Sequence, residues 1–316
     1  MPILIRGCGR GDPMADVTSS EQNRPEGKKP EIDMNALAIA MHKRSRRFGL
    51  YFWIPMIWLI IVAIACVFAP FWGLPPADEI DWAYIQSPPV EGHPLGTDNL
   101  GRDLLSRIIW GGRVSLTVGF AAPFIGVGLG MILGMIAGYY KGWADEVIGI
   151  VIDAWLAIPG LVVLLLFSVV FGGSLFMVCL SLGLLFIPTA ARITRAATLN
   201  YAGREFVLAA KAMGASDFRI LRKEVFPNII WPLIAFILID IPIAIVIEGA
   251  LSFLGLSVKA PTPSWGGIIA EGREVLSTMP HIAMYPTIVM FVTVLSFNLV
   301  GDQIRRRLAD VREGAI

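Results

Sequence analysis

The sequence predicts an all-α integral membrane protein that crosses a bilayer about six times. Three observations carry that prediction. Charged residues make up 16% of the 316 positions and apolar residues 55%, with a mean hydropathy of +0.68; soluble chains carry about 25% charged residues. The apolar residues are gathered into long runs rather than spread at helical or strand spacing. The Lys and Arg residues fall unevenly on the two sides of those runs.

The runs cover roughly 49–72, 114–140, 147–171, 174–191, 227–254 and 282–304. About 20 residues of helix cross a hydrocarbon core, and a helix satisfies its own backbone polar groups there. The fourth run is short and borrows length from Thr194–Leu199. Pro55, Pro159, Pro188 and Pro242 lie inside runs and predict kinks. With the N-terminus in the cytoplasm, eighteen Lys and Arg residues from Lys28 onward fall inside. Only Arg102, Arg107, Arg113, Lys259 and Arg273 fall outside. The positive-inside rule then puts both termini in the cytoplasm. The predicted division is a tail over 1–47, a membrane domain over 48–304 and a short tail over 305–316.

Residues 1 to about 33 are rich in Gly, Pro, Ser and charge and read as a disordered tail. No apolar stretch of signal-peptide type follows the early charges, and Met14 offers an alternative start. Cys8, Cys66 and Cys179 have neither metal-ligand nor redox spacing. A net charge of +1 without a basic, aromatic-interleaved stripe excludes a nucleic-acid partner.

The second run carries Gly126, Gly130, Gly134 and Gly138 every four residues, with Gly119 and Gly128 nearby. On a helix this spacing predicts a groove into which another helix backbone fits. Between the fourth and fifth runs lies a basic segment, Arg204–Asn228. Its first part is rich in helix formers and stops at Gly214, a helix-terminating residue. Ser216 or Asp217 caps a second helix that should end before Pro227. Ala209, Ala210 and Ala212 form a small flank, and Phe206, Val207, Leu208 and Met213 form apolar knobs. Such a helix suits a groove in another protein or a layer of lipid headgroups. On the opposite side, residues 93–107 combine glycines with alternating charges. Thr97 or Asp98 can cap a helix there, and Asp103 and Arg107, four apart, can pair. This segment reads as a clamp at the membrane surface, with His93 in a cap or turn role. Asp153, Asp240 and Glu248 lie within apolar runs. Such acids face a bundle interior or a water path. A structural bond is favoured for Asp153, whereas lining of a path and a structural bond stand level for Asp240.

The Arg204–Asn228 segment resembles the cytoplasmic EAA loop of ABC importer permeases. Ala209, Ala210, Gly214, Phe226 and Pro227 match its pattern, and Leu208 stands where the family has Glu, with Glu205 one turn earlier. Residues 93–119, Asp145–Val147 through Pro159, Glu248–Leu256, Ser264–Gly267 and Asn298–Asp302 resemble the signatures of the dipeptide/oligopeptide/nickel group of those permeases. The resemblance runs from about 45 to 304 and implies the shorter permease of the usual pair.

That resemblance implies a permease bundle with a cytoplasmic coupling helix. Glu205, Leu208, Ala209, Ala210, Met213, Gly214, Ala215 and Phe218 would dock on an ATPase. Asp240 and Glu248 are candidates for lining the path. Gly96, Thr97, Asp98, Gly101, Arg102, Asp103 and Arg107 make the outer motif. The implied partners are a second homologous permease, two ATPase subunits that hold ATP and Mg, an extracytoplasmic substrate-binding protein and the lipid of a bacterial inner membrane. The cargo would be peptides, nickel chelates or another small solute. No phosphate-binding loop, zinc-protease or serine-hydrolase motif occurs in the chain, so neither a cofactor nor a catalytic residue is expected within it. The rival class is a self-contained secondary transporter.

Overall fold

The computed structural model describes residues 49–313. The predicted tail over 1–47, with Cys8, Met14 and the basic residues 28–47, lies outside the described residues, as does the end of the C-terminal tail.

Nine helices of at least eight residues are found among the described residues. They are α1 (Leu50–Val67), α2 (Leu104–Tyr140), α3 (Gly142–Leu156), α4 (Gly160–Phe171), α5 (Leu175–Ala202), α6 (Glu205–Ala212), α7 (Asp217–Phe253), α8 (Trp265–Gly272) and α9 (His281–Glu313). Five of them, α1, α2, α5, α7 and α9, are long and apolar enough to cross a membrane. The pair α3–α4 would make a sixth span, but the two helices bend by 82° at the break between them. The third apolar run is therefore broken rather than kinked. Pro159 stands at the N-cap of α4 with φ −56° and ψ 125°. It has no N–H to donate, and its ring turns Ile158 away from helical geometry. Pro55, Pro188 and Pro242 stay inside continuous helices.

Two boundaries differ from the sequence reading. The outer amphipathic segment is the first turns of α2 itself, a helix of 37 residues, about 56 Å at 1.5 Å per residue. The helix that starts at Asp217 does not end before Pro227. It passes through a π-helical turn, Leu221–Val225, in which the Phe226 N–H bonds the Leu221 carbonyl five residues back. The wider turn accommodates the proline, which has no N–H for an i−4 bond and would crowd that carbonyl in a regular helix.

α2 is the axis of the core. At its first end Leu104 and Ile108 pack with Val62, Cys66, Ile241, Ile245, Trp265 and Ile268. In the middle Val118 and Ala122 meet Leu182, Ala244 and Leu251. At its far end Val127 and Tyr139 join Ala190, Val207, Ile220, Ile229 and Leu233. The glycine row faces α5. A Cβ on Gly130 would lie 2.6 Å from the Ala190 Cβ and 2.7 Å from the Ile187 carbonyl, and one on Gly138 2.8 Å from the Arg195 carbonyl. Gly128 faces open space and Gly119 faces Ile245 of α7, so neither belongs to this groove. Large apolar side chains stand outward along α1, α3 and α4, among them Trp53, Ile57, Val151, Leu166 and Val169. In lipid or against another span this inside-out surface carries no hydrophobic cost.

Candidate functional site

Three polar constructions stand out, one at each end of α2 and one in its middle. The first lies in the loop 73–103 and the start of α2. Gly96 and Gly101 adopt φ of +80° and +79°, the left-handed region that glycine enters without strain. These turns bring Asp98 round to the helix. Its Oδ1 accepts the N–H groups of Leu100 (2.8 Å) and Arg102 (3.0 Å), and its Oδ2 accepts Arg102 Nε (2.7 Å) and Arg107 Nη1. Glu271 of α8 closes the cluster, taking Arg102 Nη2 at 2.8 Å and Arg107 Nη1 at 2.6 Å. Two guanidinium groups are thus balanced by two carboxylates.

The sequence-based pairing was different. Asp103 does not pair with Arg107. It caps α2 by accepting the Ser106 N–H at 2.7 Å and meets His93 Nδ1 at 3.0 Å. Neither Thr97 nor Asp98 is the cap: Thr97 Oγ1 donates to the Tyr84 carbonyl and accepts the Ser87 N–H, pinning the loop. An N-cap acceptor must reach the N2 or N3 amide, and Asp103 alone stands next to the helix. Glu271 was missed, because nothing local links it to arginines more than 160 residues away.

Removing one partner of a buried ionic group costs about 3–5 kcal/mol, since the charge left behind is unpaired. Asp98, Arg102 and Arg107 are all buried. Asp98→Asn is therefore expected to lower the unfolding temperature of the purified complex clearly. Glu271→Gln, at a side chain 35% exposed, should lower it less. Equal unfolding temperatures for wild type and Asp98→Asn would refute the clamp.

The second construction surrounds Glu248, which is fully buried. It accepts the hydroxyls of Ser115 (3.0 Å), Ser252 (2.8 Å) and Ser257 (2.9 Å). Ser115 Oγ also accepts the Trp265 N–H at 3.2 Å. Glu248 thus ties α2, α7 and the approach to α8 together and reaches no surface of the described chain. Three hydroxyl donors satisfy the acid internally. Asp240 is also buried, 3% exposed, and its Oδ2 has no hydrogen-bond partner among the described residues. It too lines no open surface of this chain. Asp153 bonds Arg192 of α5 at 2.6 Å, and Asp145 pairs with Arg195 beside it. Both pairs hold α3 against α5.

The third construction is the segment from α6 to the start of α7. Val207 and Ala210 point inward, against Ile220, Val225 and the end of α2. Ala215 packs beside them. Gly214 turns the chain at φ +80°. The Ala215 N–H returns to the Ala210 carbonyl at 3.0 Å and the Gly214 N–H to Lys211 at 2.9 Å, a glycine-terminated helix end. Tyr139, the last buried residue of α2, donates its hydroxyl to Asp217 at 2.7 Å, and Lys211 Nζ lies 4.7 Å from the centre of its ring. The segment is seated on α2 from within and presents another face outward. Phe206, Leu208, Met213 and Phe218 are 41%, 55%, 81% and 72% exposed, and Glu205, Ala209 and Ala212 are exposed with them. The small flank read from the sequence is thereby divided, with Ala209 and Ala212 outward and Ala210 inward, because the helix turns 100° per residue.

A membrane-spanning helical bundle of this kind, with such a segment seated at one end, defines a transport permease. The chain belongs to the family of binding-protein-dependent transport system inner membrane components, whose model matches residues 130–310. It is a permease subunit of an ATP-driven (ABC) importer. The alternative of a self-contained secondary transporter is set aside by that membership. Among similar proteins is the glutathione transport system permease protein GsiD of Pectobacterium atrosepticum, 36% identical over 255 residues, 79% of this chain and 83% of that protein. The GsiD protein of Escherichia coli O157:H7 is 37% identical over 254 residues, 80% of this chain and 84% of that one. The fold is similar to that of a chain from the MetNI methionine ABC transporter in an inward-facing conformation. That match has a TM-score of 0.52 at 19% identity and covers 65% of this chain and 96% of that one.

Proposed function

We propose that this permease forms one half of a translocation path for short peptides across a bacterial inner membrane, with both termini in the cytoplasm. A second homologous permease supplies the other half. Two ATPase subunits bind ATP and Mg, one of them docking on Glu205–Phe218, and an external binding protein delivers the cargo to the opposite face. The membrane domain is 48–304.

The observation that carries this reading is the two-sided α6 segment. One face is locked to Tyr139 at the end of α2, and the other exposes four large apolar side chains next to Gly214. A push on that surface is passed directly to α2, one of the two longest spans. The cargo class is supported by the relatives named for glutathione, a tripeptide.

Purification through a tag on this chain is expected to bring down a second permease and ATPase subunits. Mass spectrometry of the ligand carried by the cognate binding protein should return a peptide. A pure preparation of this chain with no ATPase, or a nickel chelate in the binding protein, would overturn the respective parts. For orientation, Asp217→Cys should resist an impermeant thiol reagent applied outside sealed cells and react after permeabilisation. Labelling from outside would invert the topology.

A further inference from the structure

A cavity of about 530 Å³ opens beside the outer end of α2, within the range of about 300–1,000 Å³ typical of small-molecule sites. Arg113, Trp110 and Thr117 of α2, Asp78 of the loop, Leu175 and Thr262 contribute to its wall. The glutathione-type reading of the cargo does not by itself say where, on this chain, such a solute would first be held.

The cavity's charges suggest an answer. Neither Arg113 nor Asp78 has an ion-pair partner among the described residues. The two neighbouring arginines, Arg102 just before α2 and Arg107 in its first turn, are held by Asp98 and Glu271. The Arg113 guanidinium carbon lies 4.9 Å from the centre of the Trp110 ring. No hydrogen bond from the Arg113 N–H groups is found among the described residues, so the planar guanidinium can receive a carboxylate through two parallel bonds. Asp78, also among the lining residues, offers an acceptor for an ammonium, and Trp110 and Leu175 add apolar surface to the same cavity. One free cation and one free anion lining a partly apolar cavity fit a short zwitterion.

We propose that this cavity is a weak reception site for short peptides, in which Arg113 takes the terminal carboxylate and Asp78 the terminal ammonium. The proposal rests on the peptide reading above.

The test is saturation-transfer NMR of dialanine at millimolar concentration on the purified permease–ATPase complex without its binding protein. Wild type should give a clear signal. N-acetyl-dialanine and dialanine amide should each bind about tenfold more weakly, the loss of one charge-assisted contact. Arg113→Gln should weaken free dialanine by about the same factor and lose the discrimination against the amide. Asp78→Asn should lose the discrimination against the acetylated peptide, and Arg113→Lys should keep much of the carboxylate preference. Because Arg113 and Asp78 are exposed, all variants should unfold at the wild-type temperature. If the binding protein carries peptides but wild type gives no dialanine signal, or Arg113→Gln binds as wild type does, the site is refuted while the cargo reading stands. Loss of a co-purifying phospholipid in Arg113→Gln, with peptide binding unchanged, would assign Arg113 to a headgroup instead. A binding protein loaded with a non-peptide solute removes both.

Discussion

Gly130→Leu and Gly134→Leu should each prevent the permease from accumulating in the membrane as an assembled complex. The groove they line is closed by main chain. A Cβ on Gly130 would approach the Ile187 carbonyl to 2.7 Å and the Ala191 amide to 2.9 Å. On Gly134 it would meet the Thr194 Cβ at 2.6 Å and the Arg195 amide at 2.8 Å. A crowded side chain escapes by changing rotamer, whereas crowded backbone forces the two helices apart. Overpacking costs about 1–3 kcal/mol and sometimes more, and these positions belong at the upper end because leucine adds three further carbons to an already impossible Cβ. Separation of α2 from α5 would also open the Val118–Leu182 layer packed between them. Gly128→Leu is the internal control, since nothing lies within 4 Å of its added Cβ. It should give wild-type yield and transport. Quantitative immunoblots of membranes and size-exclusion profiles of the solubilised complex measure the outcome. Normal assembly of both Gly130→Leu and Gly134→Leu would show that α5 does not seat on this row.

The same groove shows what a sequence can carry. Four glycines at four-residue spacing select one face of a helix whatever the rest of the fold is, and the off-register Gly128 follows by the same geometry. The six apolar runs became five helices and a broken pair for an equally local reason, hydrocarbon length. Pro159 marked the site of the break, but its 82° angle depends on how α4 packs against α5, which no local rule supplies. Pro227 marked a helix end, but the π-helical turn before it absorbed the missing hydrogen bond.

Polar partnerships were the least legible feature. The i,i+4 rule suggested an Asp103–Arg107 pair, yet the cap position claimed Asp103 and the distant Glu271 claimed Arg107. An acid inside a span signals only that some partner exists. For Glu248 those partners are three serines, one of them on a different helix. On α6, composition gave Phe206, Leu208 and Met213 as surface knobs but also Val207, which is buried; assigning Val207 and Ala210 to the inside required the position of Ile220 and Val225.

That assignment decides what mutations of the loop should do. Met213→Glu and Phe218→Glu alter side chains that are 81% and 72% exposed, so neither should affect folding or insertion. If the exposed face is the ATPase-docking surface, each places a carboxylate where an apolar group should be buried. Centrally placed interface residues contribute roughly 2 kcal/mol or more, about a thirtyfold change in Kd. Binding of the ATPase pair should weaken by that factor or more, and uptake should fall to background in the double variant. Gly214→Val tests the turn. No atom lies within 4 Å of an added Cβ, so its effect is that of the backbone alone. A β-branched residue at φ +80° is strained by about 1–3 kcal/mol, which should tilt α6 away from the ATPase and abolish transport. Gly214→Asn, which tolerates that conformation, should retain much of it. Leu208→Glu, at an exposed position, restores the residue of the family pattern and should be tolerated. Ala210→Glu, by contrast, buries a charge against Ile220 and Val225 and should unseat the segment, lowering stability as well as transport. The measurements are pull-down of the ATPase subunits, peptide uptake and complex yield for each variant. Wild-type binding and uptake by both Met213→Glu and Phe218→Glu would show that the motor engages a different part of the chain.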